Sequence, residues 1–410
     1  MTAPRDTTDG ARPVRPEGLA LGPVYMDYNA TTPVDPRVAD TIEQYLTRDF
    51  GNPSSLHAFG DGPLKAVEQA RSQIVALIKA KGSGDVLFTG SGSEANLLAL
   101  RGAVLAAAHP RSHIVTQATE HPAVLATCKA LARHHGTRVT ILPVGPDGLL
   151  DPKALFDVLA NPDSQQTVGD RTVVSVMAAN NETGAIQPVA ELAGVAHAHG
   201  ALMHSDAAQA AGKVPIDVQA LGVDLMTVVG HKMYAPKGVA ALYVGTGVEL
   251  EPVVYGGGQE RGLRAGTENV ALIAGFGVAA RFAADDLEHG SGMRITELRE
   301  RLHKGLERAL PQRVHLNGPT VQRLPNTLNV SIDGSLGHKL VDVVSELAAS
   351  TGSACHSGTH TPSPVLVAMG LDDRRALSAV RLSLGRWSTT DDVDVAIAAL
   401  VQGVDSQATQ

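Results

Sequence analysis

The chain has 410 residues, 43% hydrophobic and 19% charged, a soluble globular composition with room for two domains. A formal net charge of −8 without any long Lys/Arg run excludes phosphate-backbone binding as the main task, so no nucleic-acid partner is expected. Two cysteines, Cys128 and Cys355, exclude a disulfide framework or a Cys-rich zinc site and fit a reducing, cytoplasmic setting.

Residues 1–22 are polar, carry acids and lack an apolar core, and read as a disordered N-terminal tail and not a signal peptide. From about Asp85 short β-rich runs alternate with Ala/Leu-rich helical runs. DVLFTG leads into SEANLLALRGAVLAAAH, HIVTQATE into HPAVLATCKALARHHG, RVTILPV into PKALFDVLA, and TVVSVMAAN into VAELAGVAHAHG before ALMHSDAAQ. Nearly all-apolar strands in this alternation predict an α/β fold with a mostly parallel, doubly wound sheet covered on both faces. DLMTVVGHK and GVAALYVGT follow without a full helix between them, so one edge strand is expected to be antiparallel. After YGGGQERGLRAGTEN a helical stretch runs from Val270 to about Leu310, broken near Gly290–Gly292, followed by the strand-like LPNTLNVSI. The expected division is a large domain over 33–275 and a smaller α+β domain made of 23–32 and 276–402. No segment approaches the ~20 apolar residues of a membrane span.

Ligand sites in such sheets lie beyond the carboxyl ends of the strands. Polar residues collect there: Ser91 and Ser93, Glu120 and His121, Asn180 and Asn181, Asp206 and Gln209, His231 and Lys232. Singly, each is an ordinary cap or turn former; together they predict one shared pocket. Gly90-Ser91-Gly92-Ser93 precedes a helix expected to start near Glu94, and amides at a helix N-terminus suit phosphate. A Walker loop would need a terminal Gly-Lys-Ser/Thr, which is missing. A buried Asp206 needs a cation or donor such as a protonated pyridine nitrogen. Lys232 ends an apolar run, where desolvation lowers an amine's pKa toward that of a usable nucleophile. His121, His204, Asp206 and His231 could alternatively be metal ligands, but no histidine pair of motif spacing anchors them, so no metal is expected.

In order, YMDYNATTPVDPRV, GNPSSLHAFG, FTGSGSEANLLAL, TEHPAVL, ANNETGAIQPV, HSDAAQAAGKVPIDV, VGHKMYAPKGVAALYV, GGGQERGLRAGTENV, RLPNTLNVSI, STGSACHSGTHTPSPVL and VRLSLGRWSTTDDVD resemble the type I cysteine desulfurases and related selenocysteine lyases. These belong to the class V group of fold-type I pyridoxal-phosphate enzymes. The resemblance spans Tyr25 to about Ala398 and implies a large domain with a mostly parallel seven-stranded sheet, a pyridoxal 5'-phosphate cofactor and a homodimer. It implies that Lys232 carries the cofactor as a Schiff base, Asp206 pairs with the pyridine N–H, and Gln209 and Asn181 face the ring's 3-hydroxyl. His121 would stack on the ring and assist proton transfer. Gly92, Ser93 and His231 would hold the phosphate, with Thr267 reaching it from a partner subunit. Asn181 and Arg381 would bind substrate, Arg381 clamping its carboxylate with a planar fork.

Cys355 would take the sulfur. It lies in STGSACHSGTHTPSP, too rich in Gly, Ser, Thr and Pro for regular structure, with His356 and His360 close and no acid between Glu346 and Asp372. Cys128, on a helical run, suits a small apolar filler instead. The implied reaction converts L-cysteine to L-alanine and leaves a Cys355 persulfide for an acceptor protein. Three departures from the desulfurase pattern occur: Gly90–Ser93 replace Ser-Gly-Ala-Thr, Val229 replaces a phosphate-binding serine, and His356 replaces Ser or Thr. Val229 leaves Thr227 or a water to compensate. The combinations VGHK, GGGQER, ACHS and PSPVL look closer to selenocysteine lyases, so L-selenocysteine is the alternative substrate. A non-catalytic scaffold that kept the fold is the alternative of another class.

Overall fold

The computed structural model describes residues 13–80, 86–107, 112–161, 170–352 and 361–408. Among these, the short apolar runs form strands β1 (Val24–Tyr25), β2 (Val86–Thr89), β3 (Ser112–Gln117), β4 (Arg138–Leu142), β5 (Arg171–Ser175) and β6 (Leu202–Asp206). They continue with β7 (Leu225–Val229), β8 (Ala240–Val244), β9 (Val314–Leu316), β10 (Thr327–Ile332), β11 (Leu347–Ala348) and β12 (Ala379–Ser383). Seven of them make one sheet in the order β2-β8-β7-β6-β5-β3-β4. Strands β3 to β7 run parallel, and β8 runs antiparallel to both β7 and β2. The antiparallel strand is therefore not at the edge, as expected from sequence, but one strand in. Only residues 230–239 join β7 to β8, and they contain a short 3-10 turn and no crossover helix, so the chain reverses.

Helices Ala58–Ile78, Val189–Ala198 and Val270–Glu288 cover one face of this sheet, and Gly92–Leu105 and Pro122–His135 cover the other. The strands are buried on both faces, which is why they read as continuous apolar runs. A second core joins helices Ser291–Ala309 and Thr390–Ala408 to β10, β12 and Met26. Beyond position 275, Phe276, Ala279, Ala280 and Ala283 still pack in the first core. Gly290, at φ 72, turns the chain between the two helices.

The expected disordered tail is corrected at its end. Residues 17–20 form a helical turn whose Leu19 packs with Tyr28 and Trp387, and the Trp387 indole N–H donates to the Pro13 carbonyl at 3.0 Å. Residues 1–12 lie outside the described residues. No helix among the described residues is long and apolar enough to cross a membrane.

Candidate active site

The carboxyl ends of β2, β3, β5, β6 and β7 open toward one region, and the segment Asp27–Thr32 crosses it. Helix Gly92–Leu105 begins two residues earlier than the sequence suggested, because Ser91 is its N-cap, its hydroxyl accepting from the Glu94 N–H at 3.1 Å. Gly92 and Ser93 thus occupy the first turn, where backbone N–H groups lack helical partners. A side chain at position 92 does not fit: its Cβ would lie 2.6 Å from Val229 Cγ2. Glu94 ties this turn to the glycine-rich loop, accepting from Gly90 N at 3.0 Å and from Arg264 Nε at 2.9 Å. Thr227 does not compensate for Val229, since its buried hydroxyl lies 3.3 Å from His204 Nε2 within the sheet.

Asp206, at the end of β6, is buried and accepts from Asn96 Nδ2 at 2.7 Å and Ala208 N at 2.9 Å. Asn96 lies on the helix that starts at Gly92, so one element serves both the anion-suited turn and the carboxylate. Lys232 ends the 3-10 turn Gly230–Lys232 after β7. Its Nζ donates to the main-chain carbonyls of Asn29 and Ala30 at 2.8 and 2.7 Å. Burial and then the Arg381 charge lower its pKa to about 8, against the opposing pull of Asp206 and Asp27.

His121 caps helix Pro122–His135 with Nδ1, accepting from Ala123 N at 3.1 Å. The residue is exposed; partial desolvation lowers its pKa, Asp206 opposes that, and the Lys232 charge adds to it. His231 Nδ1 pairs with the Thr31 hydroxyl at 3.1 Å, and burial followed by the Lys232 charge lowers its pKa to about 4. Gln209 Nε2 donates to the Asn29 carbonyl at 2.9 Å. The Asn181 carbonyl accepts from Asn29 Nδ2 at 3.1 Å and Arg381 Nη1 at 3.2 Å. Arg381 is buried and pairs with Asp27 through Nη2 at 2.6 Å, while its Nε has no hydrogen-bond partner among the described residues.

Thr267 is exposed on the loop before helix Val270–Glu288. That loop is held at its other end by Glu260, whose carboxylate accepts from both Arg71 Nη atoms at 2.9 Å and from Phe88 N at 2.8 Å. Glu260 and Arg261 stand in the left-handed region (φ 44 and 59), a local strain of about 1–3 kcal/mol each that this buried ion pair offsets. Cys355, His356 and His360 lie outside the described residues. On either side of them, Gly352 and Ser363 both meet buried Glu182: Ser363 Oγ donates to Glu182 Oε2, and a Cβ on Gly352 would approach that oxygen to 2.7 Å. Cys128 is a buried core residue whose thiol pKa is pushed up to about 12 by burial, as suits an inert filler.

The structure thus brings Lys232, Gln209, Asn181 and Arg381 together around one residue that sequence reasoning missed, Asn29. Asp27, Asn96, Glu182 and Lys213 were missed too; nothing in their local sequence marks them. His204 is a core residue between Ser175 Oγ at 2.9 Å and Thr227 Oγ1, and no group of three or more His, Cys, Asp or Glu among the described residues is placed to hold a metal.

This fold and site define the class: the family model for class-V aminotransferases matches residues 24–395, and the chain belongs to that pyridoxal-phosphate-dependent family. Among its relatives, the cysteine desulfurase IscS of Edwardsiella ictaluri is 44% identical over 380 residues, covering 92% of this chain and 91% of the relative. The structure of a NifS-like protein superposes with a TM-score of 0.84 at 33% identity, over 93% of this chain and 98% of the other. That of SspA in complex with cysteine gives 0.75 at 32% identity, over 89% of this chain and 99% of the other. The residues present fit pyridoxal 5'-phosphate on their own chemistry. A glycine-floored helix N-terminus suits its phosphate, a buried carboxylate its ring nitrogen, and an amine of lowered pKa its aldehyde.

Proposed function

We propose that the chain is a cysteine desulfurase that uses pyridoxal 5'-phosphate to move sulfur from L-cysteine to Cys355 and on to an acceptor protein, with L-alanine as the other product. The observation that carries this reading is the convergence of Lys232, Asp206 and Arg381 at neighbouring strand ends, in a chain whose relatives are named cysteine desulfurases. The bound cofactor supplies the electron sink that makes the substrate's α-proton acidic and lets its sulfur leave. The chain supplies the rest. Gly92, Ser93 and His231 hold the phosphate end, and Asp206 keeps the ring nitrogen protonated. Asn181 and Gln209 face the 3-oxygen. The Lys232 amine is the attachment point and, with a pKa near 8, also a proton carrier at neutral pH. His121 stands accessible for stacking and proton transfer. Arg381 binds the substrate carboxylate, which must displace or share the fork with Asp27. The Cys355 thiolate attacks the substrate sulfur, so the new S–S bond forms as the Cβ–S bond breaks.

A second copy of the chain fits this scheme. Leu46, Phe50, Leu56, Phe59 and Leu64 are exposed along one short stretch, apolar surface that a partner subunit would cover, and Thr267 is exposed for use by a partner. The test is mass spectrometry of the purified protein after incubation with cysteine. A one-sulfur adduct on Cys355, abolished in Cys355→Ala with bound cofactor retained, is the expected result. Undiminished sulfide release by Cys355→Ala would overturn the assignment. Strong turnover of selenocysteine with negligible turnover of cysteine would move the substrate to the selenium compound.

A further inference from the structure

Lys213 has no role in the scheme above, yet it lies against the residues that define it. Its Nζ donates to Asn29 Oδ1 at 2.9 Å and to Gln209 Oε1 at 2.5 Å. Gln209 in turn donates through Nε2 to the Asn29 carbonyl, the same oxygen that accepts from Lys232. These bonds admit one orientation of the Gln209 amide. A main-chain carbonyl can only accept, so the amide NH2 must face Asn29 O, which leaves the amide oxygen facing Lys213 to accept from its amine. The reversed amide would set its oxygen against the Asn29 carbonyl oxygen and turn its NH2 toward the Lys213 amine, giving up both hydrogen bonds the observed orientation makes.

The side chain of Asn29 is fixed by the same logic. Its Oδ1 accepts from Asn326 Nδ2 as well as from Lys213, and its Nδ2 donates to Thr327 Oγ1 and the Asn181 carbonyl. Both of its amide ends are thus committed.

A lysine is a costly choice for such a place. It bonds only neutral oxygens, and long cationic side chains are rarely enclosed without a carboxylate partner. The charged groups around it do not help. Lys232 and Arg381 are positive neighbours, and Arg294, Arg386 and Asp286 line the cavity of about 70 Å³ that Lys213 and Lys232 share between the two cores. Burial, then those two positive charges, lower the Lys213 pKa well below that of a free lysine. In either protonation state the amine keeps the two N–H bonds the network uses.

We propose that Lys213 is a positioning residue of the active site: it fixes the Gln209 amide so that its NH2 end, alongside the Lys232 amine, is the group presented at the Asn29 carbonyl. Replacing Lys213 frees that amide to turn its oxygen toward the reacting end. It also withdraws a donor-rich neighbour from Lys232, and both changes favour the protonated form there.

This inference rests on Lys232 as the attachment point, which is checked separately by borohydride fixation of the cofactor and peptide mapping. Fixation at another residue would sink that assignment whatever Lys213 does. The inference itself is tested by pH titration of the bound cofactor's absorbance in the native protein, Lys213→Met and Lys213→Arg. A parallel pH profile of Lys232 acylation in cofactor-free protein is read by peptide mass. Lys213→Met should move both midpoints alkaline by about one unit, a tenfold change in the protonation equilibrium. Lys213→Arg, which still presents N–H donors to both oxygens, should recover at least half of that shift. Unmoved midpoints in Lys213→Met, or a shift in Lys213→Arg as large as in Lys213→Met, would overturn it.

Discussion

Glu120 keeps its proton well above the pH at which an ordinary carboxyl loses it. Fully enclosed behind His121, it accepts from Met177 N at 2.6 Å and Gln117 Nε2 at 3.0 Å, and its second oxygen has no hydrogen-bond partner among the described residues. Burial, reinforced by the Asp206 charge, raises its pKa from 4.5 to about 8. Asp206 therefore stands beside a neutral acid at pH 7, and its negative charge is not shared with a second carboxylate. The sign for stability follows from linkage. The unfolded chain releases this proton above about pH 4.5 and the native state only near 8, so the native state loses stability as pH rises through that window. Glu120→Gln removes the ionisation while keeping the shape. Calorimetric melting between pH 5 and 9 should show the native protein declining and Glu120→Gln declining less, by an amount on the order of a few kcal/mol. Parallel curves for the two proteins would refute a protonated Glu120. Of the residues around it, the sequence marked Glu120, His121 and Asp206 because each ends an apolar run. Asn29, Asn96 and Lys213 carry no such mark, since an asparagine or lysine in a turn has many ordinary uses and only tertiary contact selects this one.

At the scale of elements, the tightest packing is between helices Ala58–Ile78 and Val270–Glu288. A Cβ on Gly277 would fall 2.5 Å from Ala70 Cα and 2.6 Å from Ala70 Cβ, so the backbones touch where both side chains are minimal. Gly277→Ala should cost about 1–3 kcal/mol through overpacking. Gly194→Ala, on helix Val189–Ala198 with nothing within 4 Å of the new methyl, should instead stabilise by about 0.4–1 kcal/mol. Urea denaturation of the two variants separates them, and equal midpoints would show that the helix crossing is looser than described. Most elements were legible in the sequence, because apolar runs of strand length alternate with helical periodicity. Two features were not. The antiparallel β8 lies inside the sheet, and pairing order is not written in a strand's own residues. Helix Val270–Glu288 follows a glycine-rich loop that looks like a domain boundary, while its apolar face packs back onto the first core.

Across the whole molecule, Arg386 and Asn29 are among the residues that tie the cores together. Arg386, in the turn after β12, pairs with Asp35 at 2.6 Å and with Asp286 at 2.7 Å. The Asn29 main-chain N–H donates to the Ser383 hydroxyl oxygen at 2.9 Å, and Asn29 reaches Thr327, Asn326, Asn181, Gln209, Lys213 and Lys232 as described. Arg386 is buried against both acids, so Arg386→Ala would remove one of the two guanidinium partners of Asp35 while Arg37 keeps the other, and a loss of about 1–3 kcal/mol is expected. Chemical denaturation with fluorescence of the single tryptophan, Trp387, next in the chain, would follow that loss directly. A change below 1 kcal/mol would mean the pair is not load-sharing between the cores. The family resemblance reached nearly this whole assembly from sequence. The inter-core bonds escaped it because their partners lie hundreds of positions apart.

The bond between Asn29 and Ser383 spans 354 positions, and this fixes a waiting time on the ribosome. At roughly 5–20 residues per second, the segment that carries Asn29 leaves the exit tunnel about 20–70 s before the strand that completes it. The Lys232 turn and the Gln209 turn emerge within that interval, so during synthesis both are present without the strand that anchors their shared carbonyl. Nascent chains arrested short of Ser383 should be cut by a protease near residues 24–32, and completed chains should resist there. The active site is thus a late event in the life of each molecule, finished only when strand β12 arrives.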